Sequence, residues 1–234
     1  MKKVLFILFA LVIQVTLIAQ DKKTLEGNGK MVTKDFNVSS FEELKASGVY
    51  ELKLSQGNTE SVKIEADENL QELFIVKNEG KTLVIEMKKM ENTNLKIKSK
   101  LKVYVSFKNL TSLDIKTVGD VNNEGSLSFK DLEMNNKSVG DVNLKLTANK
   151  ININNKSVGR FKLSGKAEDA VLKSNSVGSL EAGDFVVQTV YIENRGVGNA
   201  EVNAVKALKV KDHSLGKVQN KGAAPVRKMN KVRV

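Results

Sequence analysis

Between residues 111 and 220, apolar residues recur at a spacing of two, the period of a β-strand and not of a helix. The pairs are Leu132 and Met134, Ile151 and Ile153, Ala170 and Leu172, Val190 and Ile192, and Leu208 and Val210. Each pair lies six and four places before a short signature that itself recurs. The copies read Thr117-Val118-Gly119, Ser138-Val139-Gly140, Ser157-Val158-Gly159, Ser176-Val177-Gly178, Gly196-Val197-Gly198 and Ser214-Leu215-Gly216. Their first residues are 21, 19, 19, 20 and 18 positions apart. A period near twenty means one supersecondary unit stacked on itself. Four places after each first residue comes another apolar one: Val121, Val142, Phe161, Leu180, Ala200 and Val218. Each unit therefore reads as strand, corner, strand.

The corner needs backbone angles that a residue with Cβ resists, and glycine supplies them. Gly119, Gly140, Gly159, Gly178, Gly198 and Gly216 are the expected structural corners. The Val or Leu before each glycine is expected to point inward and fill the corner. Ser and Thr hydroxyls are expected to bond locally, and Asn135, Asn136, Asn154, Asn155, Asn175 and Asn194 to stack as amide ladders between copies. The pattern predicts an all-β parallel β-helix, a solenoid with about twenty residues per coil. The competing arrangement is an antiparallel up-and-down barrel, but no two-residue hairpin turn between long strands is evident.

Residues 36–108 alternate without the strict repeat. Tyr50, Leu52 and Leu54 face one way, as do Val62, Ile64 and Ala66, and later Leu83, Ile85 and Met87. Asp67–Leu73 reads as a helical turn with Asp67 as its cap. Ile97, Leu101, Val103, Val105 and Phe107 follow, and the opposite face carries Lys96, Lys98, Lys100, Lys102 and Lys108. This region is expected to form opening coils or a cap. The lysines then protect an exposed edge, or Lys96, Lys98, Lys100 and Lys102 form an anion-binding strip.

The N-terminus changes the picture of where the protein works. Lys2 and Lys3 precede an apolar run from Val4 to Ala19, broken only by Gln14 and Thr16. That order is the order of a secretory signal, expected at 1–19 with cleavage after Ala19. An uncleaved N-terminal anchor is the alternative. No other long apolar stretch follows, so no transmembrane span is expected once the signal is removed. The chain has no cysteine, which excludes a Cys-anchored lipoprotein, disulfides and thiolate metal sites. The expected location is the periplasm, the outer surface or the medium.

Composition narrows the core and the partners. Aromatics make up 5% of the 234 residues and tryptophan is absent, so the core must be built from aliphatic layers. The formal net charge is +11, favouring an anionic glycan or cell-surface component as partner. The bland reading of that charge is a solvated, self-repelling surface. No nucleic-acid partner is expected, and the oligomeric state is left open.

The residues also carry a family resemblance. Phe41-Glu42-Glu43-Leu44-Lys45-Ala46-Ser47-Gly48 leads into Tyr50-Glu51-Leu52-Lys53-Leu54-Ser55-Gln56-Gly57, and then Val62-Lys63-Ile64-Glu65-Ala66-Asp67-Glu68-Asn69-Leu70. With the later corners, these resemble the putative auto-transporter adhesin, head GIN domain family of Bacteroidetes secreted and envelope proteins. The resemblance covers residues 28–225, with 36–108 as N-terminal coils or cap, 111–220 as the six repeats, and 226–234 as a short basic tail. It implies a single-stranded right-handed parallel β-helix and an adhesive role. The family corner Ser-Gly-Ser-Gly-Asp is altered here: Val or Leu replaces its centre, and the final Asp survives only at Asp120 and Asp141.

Catalytic chemistry is thin. His213 is the one histidine and has no cysteine or HExxH companion. Glycines recur at the coil period, not in a nucleotide loop. The place after each corner glycine reads Asp120, Asp141, Arg160, Ser179, Asn199 and Lys217. Two acids supply neither a glycosidase pair in a cleft nor a calcium cage. No cofactor, metal site or catalytic residue is expected. The sequence points to a non-enzymatic exported binding or adhesion module. A β-helix carbohydrate-active protein and a structural envelope component are the alternatives.

Overall fold

A computed structural model describes residues 23–228. The signal expected at 1–19 and the tail from residue 229 lie outside the described residues. The strands in chain order are β1 (Lys23–Glu26), β2 (Met31–Phe36), β3 (Glu43–Val49), β4 (Glu51–Gln56) and β5 (Ser61–Asp67). After a 3₁₀ helix (Glu68–Leu73) come β6 (Phe74–Glu79), β7 (Thr82–Met87), β8 (Thr93–Lys96) and β9 (Lys102–Phe107). The repeats supply β10 (Ser112–Val118), β11 (Val121–Asn123), β12 (Leu127–Asn136), β13 (Val142–Asn155), β14 (Phe161–Ser174), β15 (Leu180–Asn194) and β16 (Ala200–Asp212). β17 (Val218–Asn220) and β18 (Val226–Lys228) complete the set.

The chain divides into two compact units. The smaller holds β1 and β8, paired in parallel from Lys23 with Thr93 to Glu26 with Lys96. The larger comprises residues 27–88 and those from Ile97 onward. All its strands join one 16-stranded sheet.

That sheet corrects the expected single-stranded right-handed parallel β-helix. Its main path has eleven strands, β2-β5-β9-β4-β11-β13-β12-β10-β3-β7-β6, a nearly closed, barrel-like sheet of mixed orientation. Three of its pairs are antiparallel: β2 with β5, β5 with β9, and β6 with β7. One physical cause is a hairpin in the region without the repeat. β6 and β7 are joined by Gly80-Lys81 alone, with Glu79 opposite Thr82 and Gly80 at φ +59°, a two-residue turn of the kind that reverses a strand. A second cause is strand length. β13 to β16 run 13 to 15 residues each without interruption, so the unit is one long strand and a bend, not strand, corner, strand.

Within this sheet the repeated segments pair in parallel and in register: Val142 opposite Phe161, Ile151 opposite Ala170, Ile153 opposite Leu172. The even positions of each repeat face inward, and Leu132, Met134, Ile151, Ile153, Phe161, Leu172, Leu180 and Ile192 are all buried. Burial of each such side chain stabilises by about 1.5–3 kcal/mol. β15 carries an extra residue relative to β14, absorbed where the register shifts between Lys162 and Ser164.

Asp67 does not cap the 3₁₀ helix, which receives no side-chain capping bond. Fully buried, it instead accepts the Gly29 backbone N–H at 2.6 Å and the Ser99 hydroxyl at 3.3 Å. A Cβ on Gly27 would stand 2.5 Å from its second oxygen, so only glycine lets the chain approach the carboxylate this closely.

Candidate functional site

The site begins with the bend that ends each long strand. Val118, Val139, Val158, Val177 and Val197 form a continuous series of parallel bridges, extended at one end by Val49 opposite Val118. Both backbone groups are used: Val139 N–H donates to Thr117 at 2.8 Å, and Gly119 N–H donates to the Val139 carbonyl at 2.8 Å. The glycine that follows sits where the neighbouring bend passes. At Gly140, φ is +137°, and a Cβ would lie 2.6 Å from the Gly119 carbonyl oxygen. Gly119, Gly159, Gly178 and Gly198 occupy equivalent bends at positive φ. Gly216 lacks the positive φ but packs equally tightly on Gly198.

The orientation at this bend is the reverse of the expected one. Thr117, Ser138, Ser157 and Ser176 are buried, whereas the valines after them are 49–56% exposed and Leu215 is 87% exposed. Strand alternation explains the inversion. If the apolar residues at places −6 and −4 point inward, so do the Asn at −2 and the Ser at 0, and the Val at +1 must point out. The result is a ridge of branched aliphatic side chains on the protein surface. With rungs about 4.8 Å apart, Val49 to Val197 spans roughly 24 Å.

Beneath the ridge runs a polar column. Asn136 Nδ2 donates to Asn155 Oδ1 at 2.8 Å, and the Ser157 hydroxyl donates to the same oxygen at 2.8 Å. Asn154 donates to Asn135 at 3.3 Å, and the Ser174 and Ser176 hydroxyls meet at 2.9 Å. Of the six asparagines expected to stack, two pairs form, whereas Asn175 is exposed and Asn194 Nδ2 has no partner among the described residues.

Flanking the ridge on one side is the place after the corner glycine. Asp120 Oδ1 accepts the Asp141 backbone N–H at 3.0 Å, Asp141 Oδ1 accepts that of Arg160 at 2.9 Å, and Asn199 Oδ1 accepts that of Lys217 at 3.1 Å. Each side chain thus caps a backbone donor one coil further on. Arg160 also closes on Asp141 Oδ2 at 2.7 Å, and that guanidinium holds the Asp141 carboxyl below the usual aspartate range. These acids are hydrogen-bonding groups of the bend. Among the described residues, no three His, Cys, Asp or Glu side chains cluster to hold a metal.

The other flank is a basic column that sequence reasoning missed. Lys116, Lys137, Lys156, Asn175, Arg195 and His213 occupy the place before the buried Ser or its equivalent, and all are exposed. Lys116 pairs with Asp114 at 2.9 Å, and Arg195 with Glu193 at 2.5 Å. Lys137 and Lys156 meet no carboxylate within ion-pair distance among the described residues. The signal is a Lys or Arg at this place in four of the six copies. His213 stands at the end of this column, its backbone N–H on the Asn194 carbonyl at 2.8 Å.

The four lysines of the expected strip fall in both units. Lys96 lies in the smaller unit and pairs with Glu26 at 3.3 Å. Lys102 pairs with Glu65 at 3.0 Å, and Glu65 also accepts the Tyr104 hydroxyl at 3.0 Å. Lys98 and Lys100 lie between strands and line a cleft of about 340 Å³ with Val49, Leu101, Val118 and Asp120. The cleft opens at the Val49 end of the ridge.

Comparisons with known proteins agree on a family. A family profile described as "Putative auto-transporter adhesin, head GIN domain" matches residues 40–224. The fold is similar to that of a protein from Bacteroides fragilis described as a putative adhesin, with a TM-score of 0.72 and 28% identity over 88% of this chain and 100% of that one. It is also similar to a putative lipid binding protein from Parabacteroides distasonis, with a TM-score of 0.62 and 18% identity over 89% and 100%. A putative adhesin from the same organism gives a TM-score of 0.52 and 20% identity over 88% and 100%. No curated protein matches the chain.

Proposed function

The chain belongs to the putative auto-transporter adhesin, head GIN domain family, and from that membership we propose that it is an exported, non-enzymatic binding protein that attaches to an anionic cell-surface component through its valine ridge. The observation that carries this reading is the exposed apolar column with a basic column beside it. Soluble proteins seldom leave a contiguous run of aliphatic side chains uncovered unless something docks there. Repetition adds strength, because successive bends each present an outward aliphatic side chain and weak contacts sum along the row. Export is supported by the Lys2-Lys3 and Val4–Ala19 leader pattern. No helix among the described residues is long and apolar enough to cross a membrane.

The test combines fractionation with binding. The protein is expected in the envelope or medium, and it is expected to bind whole cells in a way that added salt weakens. Val139→Thr/Val158→Thr/Val177→Thr should reduce that binding without unfolding the chain. Recovery in the cytoplasm, or release of reducing sugars from polysaccharide, would overturn the proposal.

A further inference from the structure

We propose that the component engaged by the ridge is the surface of an anionic lipid bilayer, with the valines entering the acyl boundary and Lys137 and Lys156 meeting phosphate headgroups. This inference rests on the binding role proposed above and names the partner.

Three features favour a bilayer over a soluble ligand. The outward side chains at the bend are aliphatic throughout: Val49, Val118, Val139, Val158, Val177, Val197 and Leu215. No aromatic ring stands among them to stack on a sugar face. Second, they project from a bend as a linear ridge, which borders a cleft only at its Val49 and Val118 end. An extended apolar ridge with cations alongside suits a planar boundary between acyl chains and charged headgroups. Third, the charges are complementary. Lys137 and Lys156 are exposed beside Val139 and Val158 with no ion-pair partner among the described residues. Anionic headgroups attract lysines held at the membrane surface. Of the two acids on the opposite flank, Asp141 pairs with Arg160, which leaves Asp120, bonded to the Asp141 backbone N–H, as the single acid there without an ion pair among the described residues.

The experiment uses vesicles of phosphatidylglycerol and, separately, of phosphatidylcholine. The chain contains no tryptophan, so Val158→Trp supplies a single fluorophore on the ridge. Phosphatidylglycerol vesicles should shift its emission to the blue, and brominated acyl chains should quench it. Phosphatidylcholine vesicles should do neither, and about 0.5 M salt should reverse the effect by screening. In co-sedimentation, the triple threonine variant and Lys137→Gln/Lys156→Gln should each bind at least about threefold less than the parent. All forms share the same N-terminus, so differences between them report the ridge. Circular dichroism confirms that each form is folded, and the lysine variant leaves the ridge intact should the threonines disturb it.

Equal binding to neutral vesicles, an unshifted tryptophan, or unchanged binding by both variants would overturn the bilayer assignment. Cell binding that survives lipid failure and is competed by anionic polysaccharide would overturn it too, while leaving the broader adhesive reading standing. Absence of all cell and vesicle binding would overturn both.

Discussion

Asn136 and Asn155 face each other inside the larger unit across a 2.8 Å hydrogen bond, both fully or almost fully buried. Removing one partner strands the other in the core. Asn155→Ala is expected to destabilise by about 1–3 kcal/mol, because Asn136 and Ser157 both lose their acceptor. Replacing both asparagines with leucine should cost less than the sum of the single changes, since neither amide is then left facing a missing partner and only Ser157 still lacks its acceptor. Urea unfolding of the four forms measures the coupling.

The bend glycines offer a contrast between strain and mere flexibility. Gly140→Ala should be severely destabilising, by about 2 kcal/mol or more, because it combines positive φ with a clash against the neighbouring bend. Gly125 also has positive φ, at +67°, but a Cβ there meets nothing within 4 Å. Gly125→Ala should therefore cost only about 1 kcal/mol. Thermal melting of the two variants separates the causes.

The direction of the valines is directly checkable. Val158→Ala should cost no more than about 0.5–1 kcal/mol, because half of that side chain already faces water. Ile153→Ala, five residues earlier in the same coil and 1% exposed, should cost about 2–5 kcal/mol. Near-equal losses would mean that the ridge is packed.

A pH dependence follows from Glu193. Arg195, with Lys211 in support, holds its carboxyl below the ordinary glutamate range. A depressed folded value means that the stabilisation is complete above the unfolded value of about 4.3 and is lost as pH falls through the folded one. Glu193→Gln should thus be less stable than the parent at pH 7, by about 0.5–1 kcal/mol. The gap should narrow as pH falls below about 4. Denaturant midpoints at both pH values test the sign.

Much of the pairing was readable in advance. Signature spacings of 21, 19, 19 and 20 reappear as the bridges from Val118 through Val139, Val158 and Val177 to Val197. The period fixes which residues become neighbours, because stacked copies align like with like. The inward direction of the Ser column also follows from parity, since places −6, −4 and 0 share one face of the strand. Three things lay beyond the repeat. The Gly80-Lys81 reversal falls in the non-repeating third, where two apolar strands look the same whether they run together or opposed. The role of Asp67 depends on Gly29 and Ser99, distant in the chain. The partition of Lys96 from Lys98, Lys100 and Lys102 reflects a unit boundary that an alternating lysine pattern does not mark.

The in-register valine column has an evolutionary corollary. Because neighbouring strands meet through the same bridge, each strand from Val118 to Val197 contributes one tread to the column. Contact length becomes a heritable integer. Relatives could then differ in grip by unit number alone, each keeping an unchanged grammar of bend, outward aliphatic and flanking cation.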